Sequence, residues 1–235
     1  YNLGAFLEVQ NCIFNERDYG IFSETGNLIT DGCHFINNNR AIAAFSSEDP
    51  LNKTFSSHSI TNSLFENTPA IIFSKSRLEI VNCTFFQPNS GAPCIYSLYD
   101  DVDNQYEINC YNSIFDMQEE SVSNIKTIEL NFYNCLFPNE NCSSINQNES
   151  NPANCFGTNI FNQSPQFKDI AGGIFSLHPC SPAVNAGSNA IINNLNIATD
   201  FTDTLRILDG IVDLGAFENK QIFEDISIET ETQAT

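Results

Sequence analysis

Three stretches of this sequence carry charged groups whose types and spacing could do chemistry. Glu48, Asp49 and Lys53 fall in "SEDPLNKTFSS" (47–57), Lys75 and Arg77 in "KSR" (75–77), and Asp100, Asp101 and Asp103 in "LYDDVDNQYE" (98–107). Carboxylates, alone or with Ca²⁺, can neutralise the acid group of a uronate while a lysine or arginine takes the adjacent proton. That pairing is what eliminative cleavage of an acidic polysaccharide needs. The same groups also make an ordinary solvated loop face, or a weak Ca²⁺ or glycan contact. "DDVD" (100–103) lacks the glycine and distal glutamate of an EF-hand loop. The sequence therefore argues for no metal site and no cofactor, with weakly held Ca²⁺ as the one alternative. His34, His58 and His178 have no Ser/His/Asp phrase around them and read as packing or surface residues.

These charged stretches interrupt a repeat. "NCIF" (11–14) returns as "GCHF", "NSLF", "NCTF", "NSIF" and "NCLF", ending on Phe14, Phe35, Phe65, Phe85, Phe115 and Phe137. The spacings of 21, 30, 20, 30 and 22 residues are those of a solenoid. Five residues before each Phe stand Val9, Thr30, Ile60, Ile80, Cys110 and Phe132, and seven before stand Leu7, Leu28, His58, Leu78, Ile108 and Leu130. Polar residues alternate with them, the period of a half-buried strand. The Asn or Gly that follows tolerates left-handed backbone angles and so marks a bend. Cys or Ser then fits a narrow inner corner, and Phe fills the core. A second phrase, "IFS" (21–23), "AFS" (44–46), "IFS" (72–74) and "IYS" (95–97), aligns on its aromatic. Helical periodicity is not sustained. The expected fold is all-β, a right-handed parallel β-helix over 1–140, with like residues stacked about 4.8 Å apart. The charged stretches all join the same pair of strands and should share one side, where solenoids carry binding surfaces.

The totals narrow the function. Nine basic against twenty-nine acidic residues give a net charge of −20, which excludes a nucleic-acid footprint. No apolar run is long enough to span a membrane as a helix. The chain opens mid-pattern, without Met or signal peptide, and is expected to be a piece of something longer. Its first coil then needs preceding coils or a neighbouring subunit, and head-to-tail stacking of like subunits would build a filament. Nine cysteines in an acidic, Asn-rich chain suit an extracellular setting. The repeat cysteines read as structural and mostly unpaired, although Cys12 and Cys33 lie close enough in such a stack to bridge. Outside the repeat, Cys142, Cys155 and Cys180 are disulfide candidates: Cys155–Cys180 could add about 3 kcal/mol, and Cys142–Cys155 competes with it.

After Phe137 the pattern fades. "SPQFKD" (164–169), "GGIFSLHPCSPAVNAG" (172–187) and "VDLGAFE" (212–218) follow in order. Over about 157–218 these phrases resemble the C-terminal module of secreted bacterial β-helix proteins known as choice-of-anchor Q domains. The family pattern runs D-P-x-F-x-D, G-x-F-x-L-x-P-x-S-P-A-I-D-A-G and D-I-G-A-Y-E. Ser164 and Asn185 stand where the family has Asp. The resemblance implies a Bacteroidetes-type protein exported by type IX secretion and held at the cell surface. It also draws attention to Asp203-Thr204-Leu205, similar to an O-glycosylation tripeptide with Thr204 as acceptor. Read physically, 141–218 is a β capping segment continuous with the solenoid, and 219–235 a terminal strand ("IFEDISI") and linker. Two functions remain: a non-catalytic secreted or surface scaffold or adhesin with glycans or like subunits as partners, and a polysaccharide lyase or hydrolase-like enzyme of the β-helix type.

Overall fold

Backbone angles set the coil. In the computed structural model, Asn11, Asn62, Asn82, Asn112 and Asn134 have φ between 47° and 52°, with Gly32 (60°) and Gly157 (68°) completing the column. Only residues that accept the left-handed region can turn the chain there without strain. Glycine appears where the neighbouring amide needs the room: a Cβ on Gly32 would strike Asn11 Oδ1, and one on Gly157 would lie 2.7 Å from Asn134 Oδ1. A second left-handed corner, at Glu16, Asn37 and Asn67, follows the Phe strand in the first three coils. The structure describes residues 2–3, 6–24, 26–45, 56–69, 71–74, 76–87, 93–97, 106–117, 122–123, 128–146 and 152–220.

Each of the first six coils holds three short strands, and every third strand returns to the same sheet. The first sheet has six strands, from Asn2–Leu3 to Val122–Ser123; the second has seven, from Leu7–Gln10 to Asn154–Phe156; the third has seven, from Ile13–Asn15 to Ile160–Phe161. Neighbours in all three sheets pair in parallel, and residues from all three share one core. This is a parallel β-helix. Its coils continue beyond residue 140 as far as Phe161.

Parallel register stacks like on like. Leu7, Leu28, His58, Leu78, Ile108 and Leu130 align in the second sheet, as do Val9, Thr30, Ile60, Ile80, Cys110 and Phe132. The phenylalanines form one stacked column with centroids 4.5–5.0 Å apart from Phe14 to Phe137, and Phe161 extends it at 5.7 Å. The small corner residue does more than fit. Ser63 and Ser113 accept a hydrogen bond from the backbone N–H of Cys33 and Cys83 one coil below, at 3.2 and 3.1 Å, and Asn159 Oδ1 does the same for Cys135. The repeat cysteines are unpaired, Cys12 and Cys33 included.

The aromatic alignment of the second phrase needs correcting. Ile21, Ile42, Ile71, Ile95 and Val122 form the true column of the first sheet, so Phe22 meets Ala43 while Phe45 lies two places on, opposite Glu24. Phe73 pairs with Ser97, one place from Tyr96. Ile21, Ile42, Ile71 and Ile95 are all buried. The branched aliphatic that faces the core fixes register, whereas Phe22 and Phe45 meet only at a tilted 5.5 Å ring contact beside it.

The C-terminal segment caps the solenoid along its flank, not by closing the last coil. Among the described residues the seventh coil shows no first-sheet strand; Ile145 and Ala153, between Cys142 and Cys155, are buried in the core. From Phe167 the chain doubles back through an antiparallel hairpin (Phe167–Asp169 with Ile174–Leu177) and a short helix (Asn189–Leu195). It packs on the outer side of the third sheet, Phe175, Ala216 and Phe217 on Leu64 and Phe86 and Leu177, Ala183 and Leu214 on Ile114 and Leu136, and on the adjoining end of the second sheet, Ile192 and Val212 on Val81. Strands covered on both faces are apolar on both faces. That explains why an aliphatic so often precedes the repeat Phe. In the first coil that residue, Ile13, is 71% exposed. The expected strand in 222–228 lies outside the described residues.

Candidate functional site

The charged loop residues do not supply a described site. Glu48, Asp49, Lys53, Lys75, Asp100, Asp101 and Asp103 lie outside the described residues. Arg77 is exposed on the second sheet. His58 is a packing residue. It occupies the inward Leu column and is 1% exposed, and its Nδ1 accepts the Leu28 N–H at 3.2 Å. Burial pulls its pKa down to about 4, so the imidazole is neutral and Nε2 carries the proton.

The charged constellation that the fold does assemble is in the C-terminal segment, and the loop-centred reading missed it. Arg206 is 1% exposed. Its Nε and Nη2 donate to Asn62 Oδ1 (3.1 and 2.6 Å), Nη1 donates to Gly215 O and Glu218 Oε1 (3.0 and 3.1 Å), and Nη2 donates to Ala216 O (3.1 Å). Every nitrogen of the guanidinium is occupied. Asn62 is a corner residue of the third coil, and its own amide donates to Asp31 and to Thr199 O. One side chain thus joins a solenoid corner to the "VDLGAFE" phrase.

The rest of that phrase serves the same end. Asp213 accepts the N–H groups of Asn185 and Asn219 at 2.7 and 2.6 Å, tying "AVNAG" to the chain beyond Glu218. Asp200 accepts from Thr202, Thr204 and Glu218 N–H at 2.7–2.8 Å. Gly215, at φ 86°, lets its N–H reach Asn112 O at 2.7 Å; a Cβ there would sit 2.6 Å from Thr84 Oγ1. Ala216 N–H donates to Thr84 Oγ1, and Asn82 and Asn112 donate to Asp213 O and Ser188 O. The asparagines that turn the coil therefore also grip the strap. Burial raises both the Glu218 and the Asp213 carboxyl; Arg206 offsets this only in part at Glu218, as do the Asn185 and Asn219 N–H groups and Arg206 at Asp213. Among the described residues, the hydrogen bonds to the Glu218 oxygens are all donated to it, by Arg206 Nη1 and Asp213 N. That geometry is an acceptor carboxylate in a buried ion pair. Arg206, Asp213 and Glu218 are all at most 5% exposed, so the cluster offers no open position to a substrate.

Two more expected sites change. Cys142 pairs with Cys155, whereas Cys180 is free and exposed. Cys155 aligns with Phe132 in the second sheet and packs with Cys142 against the core end. Thr204 is 8% exposed, with its N–H on Asp200 and its hydroxyl 3.1 Å from that of Thr202. The folded chain leaves no room for a glycan there. The buried repeat thiols are held protonated by desolvation, to about 11 at Cys33 and about 12 at Cys83 and Cys135.

Fold and site together define a parallel β-helix with a strap clamped along one flank by a buried arginine. The chain matches no family model, no curated protein and no solved structure.

Proposed function

We propose that this chain is a non-catalytic structural or adhesive scaffold of the secreted or cell-surface kind. The observation that carries the reading is the Arg206 cluster. Arg206, Asp213 and Glu218 are buried and hydrogen-bonded into holding two chain segments, with no open side toward a substrate. The C-terminal phrases support a surface location through their resemblance to choice-of-anchor Q modules. The stacked register supports a rod, and like subunits joined end to end would extend it into a filament. At a net charge of −20, such stacking should strengthen with salt or Ca²⁺, which screen self-repulsion.

The test is turnover. Purified chain incubated with uronate polymers, with and without Ca²⁺, should release no unsaturated ends, read as new ultraviolet absorbance. Release that disappears in Lys75→Ala or Arg77→Ala would replace the scaffold with a lyase.

A further inference from the structure

Where the strap leaves its helix it crosses the outer face of the second sheet and leaves a groove. Asn196, at φ 55°, ends the helix and turns the chain. The groove has a volume of about 300 Å³, the lower end of the range for small-molecule sites. Its floor is mainly polar: Gln10, Asp31, Ser59 and Thr61 come from three successive coils, beside Ile29. Its wall is aliphatic, from Leu195 and Ile197.

The hydrogen-bonding state of the floor indicates what it would take. Asp31 Oδ1 is occupied by Thr61 Oγ1 (2.6 Å) and Asn62 Nδ2 (3.0 Å), which fix the carboxylate in place. Its other oxygen has no partner among the described residues, and neither does the Ser59 hydroxyl. Gln10 uses its NH₂ on Glu8, leaving its carbonyl oxygen open. The open groups are thus two acceptors and one hydroxyl, set against an apolar wall. Acceptors next to an aliphatic surface suit a molecule with several O–H donors and a C–H face. A carboxylate floor in a chain of net charge −20 repels anions. We infer that this groove binds a neutral sugar unit of one or two rings, with hydroxyls on Asp31, Ser59 and Gln10 and its C–H face on Leu195 and Ile197.

The inference deepens the adhesive side of the scaffold reading and can fail separately from it. A chain that binds no sugar can still be a scaffold, and polymer cleavage would sink the scaffold without touching the groove. The test is saturation-transfer NMR on the whole chain with methyl glucoside, methyl galactoside, methyl mannoside and their disaccharides, and galacturonate as the anionic probe. At least one neutral probe should show transfer. Asp31→Asn keeps an oxygen for Thr61 and Asn62 but replaces the open acceptor with a donor, and should weaken binding about tenfold. Ser59→Leu fills the groove at a hydroxyl the fold does not use, and should abolish transfer with the unfolding midpoint unchanged; it carries the test if Asp31→Asn folds poorly. No transfer from any neutral probe, transfer from galacturonate alone, or transfer that survives Ser59→Leu would overturn the assignment.

Discussion

Replacing Arg206 by Met isolates the clamp. Methionine retains much of the aliphatic bulk but removes all five donated hydrogen bonds. Glu218 Oε1 and Asn62 Oδ1 lose their guanidinium donors, and Gly215 O and Ala216 O lose theirs. Removing one partner of a buried ion pair costs about 3–5 kcal/mol, because the remaining charge stays buried and unpaired. Each orphaned carbonyl would add about 1–3 kcal/mol if it stayed dry. The strap does not have to bear the whole sum, since it can loosen and admit water. The expected loss is therefore about 3–5 kcal/mol, with the strap opening first. Glu218→Gln keeps an acceptor for Arg206 and should cost less, about 1–2 kcal/mol. Combining the two removes the charge at position 218 that Arg206→Met alone would strand, so the double variant should recover about 1 kcal/mol or more relative to the sum. Urea unfolding of the four proteins measures this directly. An Arg206→Met loss under about 0.5 kcal/mol, the size of an ordinary surface change, or strict additivity of the pair, would refute the clamp.

Three other outcomes follow from the same structure. Phe85 is 1% exposed and stacked on both sides, so Phe85→Ala should cost about 3–5 kcal/mol in urea unfolding; Phe14 stacks on Phe35 alone among the column and is only half-buried, so Phe14→Ala should cost clearly less. His58 has its pKa depressed from 6.5 to about 4, so the unfolded chain takes up the proton first. Its contribution is intact above pH 6.5 and is lost as pH falls toward 4, by roughly 3 kcal/mol in all. His58→Leu should flatten stability relative to the parent across that window. Thiol titration of the native, unreduced chain should find Cys12 and Cys180 reactive, with Cys33, Cys83, Cys94, Cys110 and Cys135 reacting only on unfolding; breaking Cys142–Cys155 should cost about 2–3 kcal/mol.

The solenoid was legible because a parallel stack repeats its demands. The corner before each inward Phe strand favours Asn or Gly, and each inward Phe faces a copy of itself. Asn11 to Asn134 and Phe14 to Phe137 could therefore be read in register. The first sheet was harder, since Phe45 is a more conspicuous residue than Ile42, yet Ile42 holds the core column. The strap left a quieter trace: Leu64, Ile114 and Leu136, just before the repeat Phe, mark strands apolar on both faces. The clamp left almost none. Arg206 and Asn62 lie 144 residues apart, and no periodicity links them. Phe161 also escaped the pattern, because its corner holds one extra residue, Thr158, between Gly157 and Asn159.

The most direct measurement is residue-resolved hydrogen exchange on the parent chain and Arg206→Met. If the buried charges are a clamp, exchange in Arg206→Met should rise across 167–219 and at the corner amides of Asn62, Asn82 and Asn112, while the inner strands around Phe65, Phe85 and Phe115 keep their protection. Unchanged protection in the strap would show that Arg206 does not hold it and would contradict the clamp.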